Sequence, residues 1–170
     1  CGGIVLGGGT GSNTQLYYNS VAMNGAIPAG TAGSTQSFAL AVTNTTAPIL
    51  DFKNNIFVNT QTPNAAGITK FYAIGLAYSS TTGNYTGLTS NNNDLFTITG
   101  ATYFVGITGG LSAGTTRTFA TWQTETGRDA ASQNVLPVFI SATNLHLDVN
   151  NNPLLNGTAA AGTGITNDID

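Results

Sequence analysis

Charged residues are scarce in this sequence. Four lysines and arginines and seven aspartates and glutamates make up only 6% of its 170 residues. Nucleic-acid binding needs clustered cations that displace the counterions of the phosphates, and four scattered cations provide no such cluster. The composition therefore excludes a nucleic acid as a partner.

Cysteine and histidine each occur once, as Cys1 and His146. One residue of each type supplies neither a disulfide framework, nor a Cys/His zinc site, nor a Ser/His/Asp set. His146 stands between Leu145 and Leu147, so strand alternation turns it towards solvent. For Cys1 two interpretations stay open, the lipid anchor of a mature bacterial lipoprotein and the plain start of a segment, and we favour the second. We predict no catalytic, cofactor-binding or metal-binding residue, which favours a protein that is not an enzyme.

Long apolar runs are absent as well. The apolar runs stop after four to six residues, which is too short for a helix that spans a membrane. The sequence is nevertheless 41% apolar, and Gly, Thr, Asn and Ser separate its short runs, as is typical of strands joined by turns. We therefore expect a folded, all-β chain with no membrane span.

A short motif recurs along this chain. Asn19-Ser20-Val21 aligns with Asn54-Asn55-Ile56 and Asn93-Asp94-Leu95 at intervals of 35 and 39 residues, and a weaker copy follows at 136–139. The second repeat holds three strand candidates, at 38–42, 49–52 and 56–58. Repeats of about 35 residues with three short strands are typical of a solenoid. The sequence predicts a parallel β-helix of about three to four coils, with a longer loop per coil at 25–34 and 60–69.

The repeat alignment also predicts which side chains stack on one another. In this alignment Val21, Ile56 and Leu95 form an inward aliphatic row. One asparagine in each repeat forms a structural ladder at a tight corner, because Asn tolerates left-handed backbone and stacked amides bond to each other. The members of this corner ladder are Asn19, Asn54 and Asn93.

One predicted row is aromatic and faces outward. It contains Phe57, Phe96 and Phe139. Two interpretations stay open: the rings pack under the long loops, or they form a platform on which a carbohydrate stacks. This row is the candidate site that the sequence offers for a polysaccharide.

Several motifs together resemble a known class of protein. They are LYYNSVAMNG, DFKNNIFVNTQTP, FATWQTETGRDAASQNVLPVFIS, NLHL and GITNDID. In this order they resemble the C-terminal coils of right-handed parallel β-helix regions in large secreted or cell-surface proteins of Bacteroidetes-type bacteria. The resemblance implies a right-handed helix, an extracellular or cell-surface location, and export by the type 9 secretion system.

On this resemblance we expect residues 1–170 to be one β-helix segment of a longer chain. Residues 1–118 would be regular coils, and residues 119–170 the last coil and the closing strands. The expected partners are the neighbouring coils or domains of the parent chain, the secretion machinery and a surface polysaccharide.

Three functions remain open at this stage. The first, which we favour, is a non-catalytic spacer or adhesin-like module. The second is a module that binds or cleaves a polysaccharide, as pectate lyases do; cleavage needs clustered acids, whereas the alignment places Asp51 and Asp94 in different rows. The third is an ice-binding solenoid, which needs threonines in one register, and Thr60 and Thr97 do not share one.

Overall fold

The computed structural model describes residues 1–27, 36–63 and 70–163. The predicted loops at 25–34 and 60–69 lie largely outside these ranges, and the Asp168-Ile169-Asp170 end lies entirely outside them. In chain order the elements are β1 (Gly2–Leu6), β2 (Asn13–Tyr17), β3 (Ser20–Met23), β4 (Gln36–Val42), β5 (Ile49–Lys53), β6 (Ile56–Asn59), β7 (Lys70–Leu76), β8 (Leu88–Asn91), β9 (Asp94–Thr97), β10 (Tyr103–Thr108), β11 (Thr115–Arg117), α1 (Phe119–Thr126), β12 (Phe139–Ser141) and β13 (Asn144–Leu147).

Strands three places apart in the chain lie side by side. The first sheet has the order β1-β4-β7-β10-β11, the second β2-β5-β8 and the third β3-β6-β9. Their pairings are parallel, apart from the antiparallel pair β10 and β11. Leu40, for example, lies between Ile4 and Ile74. Residues about one sequence repeat apart therefore become neighbours.

The prediction of an all-β, right-handed parallel β-helix with three to four closed coils is wrong. The chain forms several small separate sheets, of which one is mixed and one is the antiparallel pair β12 and β13. The reversal that makes the first sheet mixed follows β10 at Gly109 and Gly110, whose φ angles of 77° and 134° suit glycine. An α-helix then follows β11.

The core lies between the first, second and third sheets. Each sheet contributes side chains that are almost fully shielded from solvent, because strand alternation points every second residue inward. Trp122 of α1 joins them at one end of the molecule. Representative members are Leu40, Ile74, Leu50, Phe52, Leu88, Phe57 and Leu95, each at most 1% exposed.

The predicted register of the third sheet is wrong by one residue. Val21 pairs with Phe57, and Phe57 pairs with Leu95. Ile56, which the alignment placed in this inward row, pairs instead with Ser20 and Asp94 and is half-buried on the outer face. A slip of one residue moves a side chain to the opposite face of a strand, which explains why Phe57 rather than Ile56 is in the core.

The predicted row of Phe57, Phe96 and Phe139 does not exist. Phe57 is 0% exposed, Phe96 pairs with Val58 one position further along, and Phe139 belongs to the separate β12–β13 hairpin. Rings do stack elsewhere, in the first sheet, where Phe38 lies 5.0 Å from Tyr72 between ring centroids and Tyr72 lies 5.9 Å from Phe104.

Helix α1 has defined ends. The Thr118 side chain caps its start by accepting a hydrogen bond from the Thr121 backbone N–H. Gly127 ends it in the left-handed conformation, with φ of 64°.

Candidate functional site

A groove of about 710 Å³ runs along the outer face of the third sheet. Its other walls are β13 with the turn before it and residues 155–159. Three outward side chains at the start of β3, β6 and β9 form its floor, since Ser20, Ile56 and Asp94 are paired across these strands. The groove thus combines a hydroxyl, an aliphatic chain and a carboxyl group in one row.

The corners beside this floor have a repeated backbone conformation. Tyr18, Asn54 and Asn92 have φ angles of 58°, 59° and 56°, which is the left-handed region. Each comes two residues before the floor residue of its repeat. All three line the groove.

A ladder of amides follows directly after these corners. The Asn55 side-chain oxygen accepts hydrogen bonds from the backbone and side-chain nitrogens of Asn19, at 3.1 and 3.0 Å. The Asn93 oxygen accepts the same two bonds from Asn55, both at 3.0 Å. The predicted corner ladder of Asn19, Asn54 and Asn93 is therefore wrong at its middle member, which is Asn55.

Residues 155–163, here called the strap, cross the corners. The Asn92 amide donates to the Thr158 carbonyl at 2.8 Å, and the Asn54 amide donates to the Ala160 carbonyl at 2.9 Å. The Asn54 side-chain oxygen also accepts from the Ala160 N–H at 2.7 Å. We call the cavity that the strap borders the strap groove.

Asp94 is the buried acid of the strap groove. It is 3% exposed, and its Oδ1 accepts a hydrogen bond from the Val135 N–H at 3.0 Å. Its Oδ2 is buried and has no hydrogen-bond partner among the residues that the structure describes. Burial raises the pKa of this carboxyl group to about 7, and the hydrogen bond from the Val135 N–H lowers it by a smaller amount. A neutral carboxyl group, which can donate as well as accept, is therefore accessible near neutral pH.

His146 lines the same groove and is exposed. Its ring Nδ1 and its backbone N–H both contact the Asn144 side-chain oxygen, the latter at 3.1 Å. Leu145 and Leu147 are half-buried beside it. The expected solvent exposure of His146 agrees with this position, and its place in a groove wall was not foreseen.

A second buried acid, Asp129, lies outside the groove below the second and third sheets. Its Oδ1 accepts from the Ser90 and Ser132 hydroxyls at 2.9 and 2.6 Å and from the Asn93 amide at 3.2 Å. Its Oδ2 accepts from the Trp122 indole N–H at 2.8 Å. Both carboxylate oxygens are thus used within the fold. Asp129 joins α1 to the end of the amide ladder.

Sequence reasoning missed the strap groove. The repeat alignment shows Asp94 only as an acid in a different row from Asp51. Once the ladder is known to contain Asn93, the position of Asp94 directly after it is a signal for the site. Within residues 1–27, 36–63 and 70–163 there is no group of three or more His, Cys, Asp or Glu side chains suited to a metal ion.

Comparison of the chain with protein-family models, with curated proteins and with solved structures finds no match. No helix in the described part of the chain is long and apolar enough to cross a membrane.

Proposed function

We propose that this chain is a non-catalytic structural or adhesin-like module of a secreted or cell-surface protein. The observation that supports this proposal is that most of the few charged side chains form ion pairs or hydrogen bonds within the fold itself. Groups held in this way are poorly placed to act as acids or bases on a substrate. The residues concerned are Asp51, Lys53, Arg117, Glu125, Arg128 and Asp129.

Two ion pairs and one hydrogen bond from an arginine to a backbone carbonyl are examples of these internal contacts. Asp51 accepts from the Tyr17 hydroxyl at 2.5 Å and pairs with Lys53 at 3.0 Å. Arg117 pairs with Glu125 at 3.2 Å, which joins β11 to α1. The Arg128 guanidinium donates to the Leu88 carbonyl at 2.5 Å. The Asp51–Lys53 pair lies within β5, whereas the other three contacts join different parts of the fold, as a module that extends or presents other parts of a protein requires.

The surface location and the export by the type 9 secretion system are part of the same proposal. They rest on the resemblance of the motifs to secreted Bacteroidetes-type proteins. The low charge and the abundance of Asn, Thr and Gly fit an extracellular surface as well.

The proposal is tested by incubating the protein with pectin, alginate and chitin, with and without Ca²⁺, and measuring new reducing ends. We expect none above the level of a heat-denatured control. The variant Asp94→Asn provides the decisive comparison, because Asp94 has a carboxylate oxygen without a partner in the described structure. Product release by the parent protein that Asp94→Asn abolishes would overturn the proposal.

A further inference from the structure

The strap groove has the size and the mixed chemistry of a small-ligand site. Its volume of about 710 Å³ lies within the range of roughly 300–1,000 Å³ that is usual for such sites. Aliphatic side chains of Ile56, Leu145 and Leu155 line it beside the hydroxyl of Ser20. Its lining can therefore contact both the apolar and the hydrogen-bonding surfaces of a ligand.

The charges in the groove select among ligand classes. Among the described residues that line it, none is a lysine or an arginine. Apart from the exposed His146, an anionic ligand would thus find no lining side chain that can carry a positive charge, and it would face the Asp94 carboxyl group. Burial keeps this carboxyl group neutral over most of the acidic range, so that a cation gains little from it. A neutral ligand suits the groove best.

Two side chains offer specific contacts. Tyr18 is 45% exposed, and its hydroxyl accepts a hydrogen bond from the Thr163 hydroxyl at 3.3 Å, which holds the ring beside the strap. At the other end of the floor row, the Oδ2 of Asp94 has no partner in the described structure. An unsatisfied buried oxygen is unfavourable, and a hydroxyl group that reaches it would remove this cost.

We propose that the strap groove binds a neutral sugar unit, which stacks one face on the Tyr18 ring and directs a hydroxyl group to the Asp94 carboxyl group. Sugars fit this lining because each ring has an apolar C–H face and a rim of hydroxyls that both donate and accept. This inference goes beyond the proposed function, since a spacer needs no ligand.

The chain itself suggests the variant that tests the proposal. Asn54 and Asn92 have the same left-handed backbone at the corners equivalent to Tyr18. Tyr18→Asn therefore keeps the corner conformation and removes the ring together with its hydroxyl. Tyr18→Phe is the matched control, because it keeps the ring and removes the hydroxyl that contacts the strap.

The experiment is saturation-transfer NMR with glucose, galactose, mannose and N-acetylglucosamine, and with glucuronic acid as the anionic counterpart of glucose. Far-UV circular dichroism melts show that each variant is folded. We expect the parent protein and Tyr18→Phe to bind at least one neutral sugar. Loss of the stacking contact should weaken that binding about three- to tenfold in Tyr18→Asn.

Three results would overturn the proposal. They are the absence of transfer to every neutral sugar at millimolar concentration, equal binding by Tyr18→Asn and the parent protein, and equal binding of glucuronic acid and glucose. None of them bears on the spacer function, which the reducing-end assay tests separately.

Discussion

Asn55 is the residue on which the amide ladder depends. It is 1% exposed, and its amide also donates to the Leu16 carbonyl at 2.8 Å. Its side chain thus satisfies backbone groups in the corner above its own. The neighbouring Asn54 has a different task, since it supplies the left-handed turn and holds the strap.

We expect Asn55→Ala to lower the free energy of unfolding by about 2–4 kcal/mol, because it leaves several buried polar groups unpaired. Urea denaturation followed by circular dichroism measures this loss. Asn54→Gly is the control, since glycine accepts the φ of 59° and only strap contacts are lost. If Asn54→Gly proved the more destabilising of the two, the assignment of the ladder would be wrong.

The adjacent asparagines also explain the register error. The second repeat contains Asn54-Asn55 and the third Asn92-Asn93, whereas the first has Tyr18-Asn19. Sequence alone does not show which asparagine of a pair corresponds to Asn19. The backbone conformation decides it, because the residue with positive φ comes first and the ladder amide second.

Asp94 makes stability depend on pH. Its pKa is about 7 in the folded protein against an ordinary value of 3.8, so the folded state keeps a proton that the unfolded state has lost. The free energy of unfolding should therefore fall as pH rises from about 4 to about 7, by at most about 1.4 kcal/mol per pH unit.

Asp94→Asn should abolish this dependence. We expect the variant to melt at a higher temperature than the parent protein at pH 8, with the difference shrinking towards pH 4, where the parent carboxyl group is protonated in the folded state and is close to its ordinary pKa of 3.8 in the unfolded state. Differential scanning calorimetry across this range measures the difference. Curves that stay parallel from pH 4 to pH 8 would show that Asp94 is ionised in the folded protein.

At the scale of elements, α1 and residues 128–135 cover the edges of the second and third sheets at which β8 and β9 are the last strands. The Gln133 N–H donates to the Asn93 carbonyl at 2.7 Å, and the Leu95 N–H donates to the Gln133 carbonyl at 2.9 Å. Backbone groups of β9 that would otherwise form a free edge are thus paired. Asp129 fixes this segment to Trp122.

Asp129→Asn tests whether Asp129 holds residues 128–135 over the sheet edge. The new amide group would point a donor at hydroxyls and an indole that themselves donate, so we expect a loss of about 3 kcal/mol or more. Tryptophan fluorescence during denaturation reports it directly, because Trp122 is the only tryptophan. The same change at half-buried Asp148, whose carboxylate oxygens accept hydrogen bonds from Asn150 and Asn151 of its own turn, is the control and should have a smaller effect. Equal effects at both positions would contradict the role of Asp129.

Sequence reasoning located the three strands of the second repeat but not the assembly of the sheets. The strand candidates at 38–42, 49–52 and 56–58 coincide with β4, β5 and β6, since short apolar runs between turn residues are a local signal. The strap groove has no local signal. Its strap joins Asn54 to Ala160, 106 residues away, and no repeat pattern indicates that contact.

At the scale of the whole molecule, the two ends of the first, second and third sheets differ. The end after β9 is covered, whereas β1, β2 and β3 each form an outer edge of their sheet. Apolar residues of these edge strands are only partly buried, although their neighbours one repeat later are at most 1% exposed. The partly buried residues are Ile4, Leu6, Leu16, Val21 and Met23.

This difference predicts graded protection in hydrogen–deuterium exchange. We expect amides of β4, β5 and β6, which have paired strands on both sides, to exchange more slowly than those of β1, β2 and β3. Mass spectrometry of peptides that cover each strand measures the rates. The amides of β9, which residues 128–135 cover, serve as a reference for a covered edge. Equal rates in β1 and β4 would show that the edge at β1 is as stable as the interior.

The strap gives the molecule a mechanical polarity. Its contacts follow in order along the corners, first with Asn92, then with Asn54 and last with Tyr18. Each contact consists of side-chain hydrogen bonds that are not part of the sheets. Tension applied at the C-terminal side would load the contact at Tyr18 first and the one at Asn92 last. The strap would then detach one contact at a time at low force, and the parallel strands would remain paired until it had been peeled away.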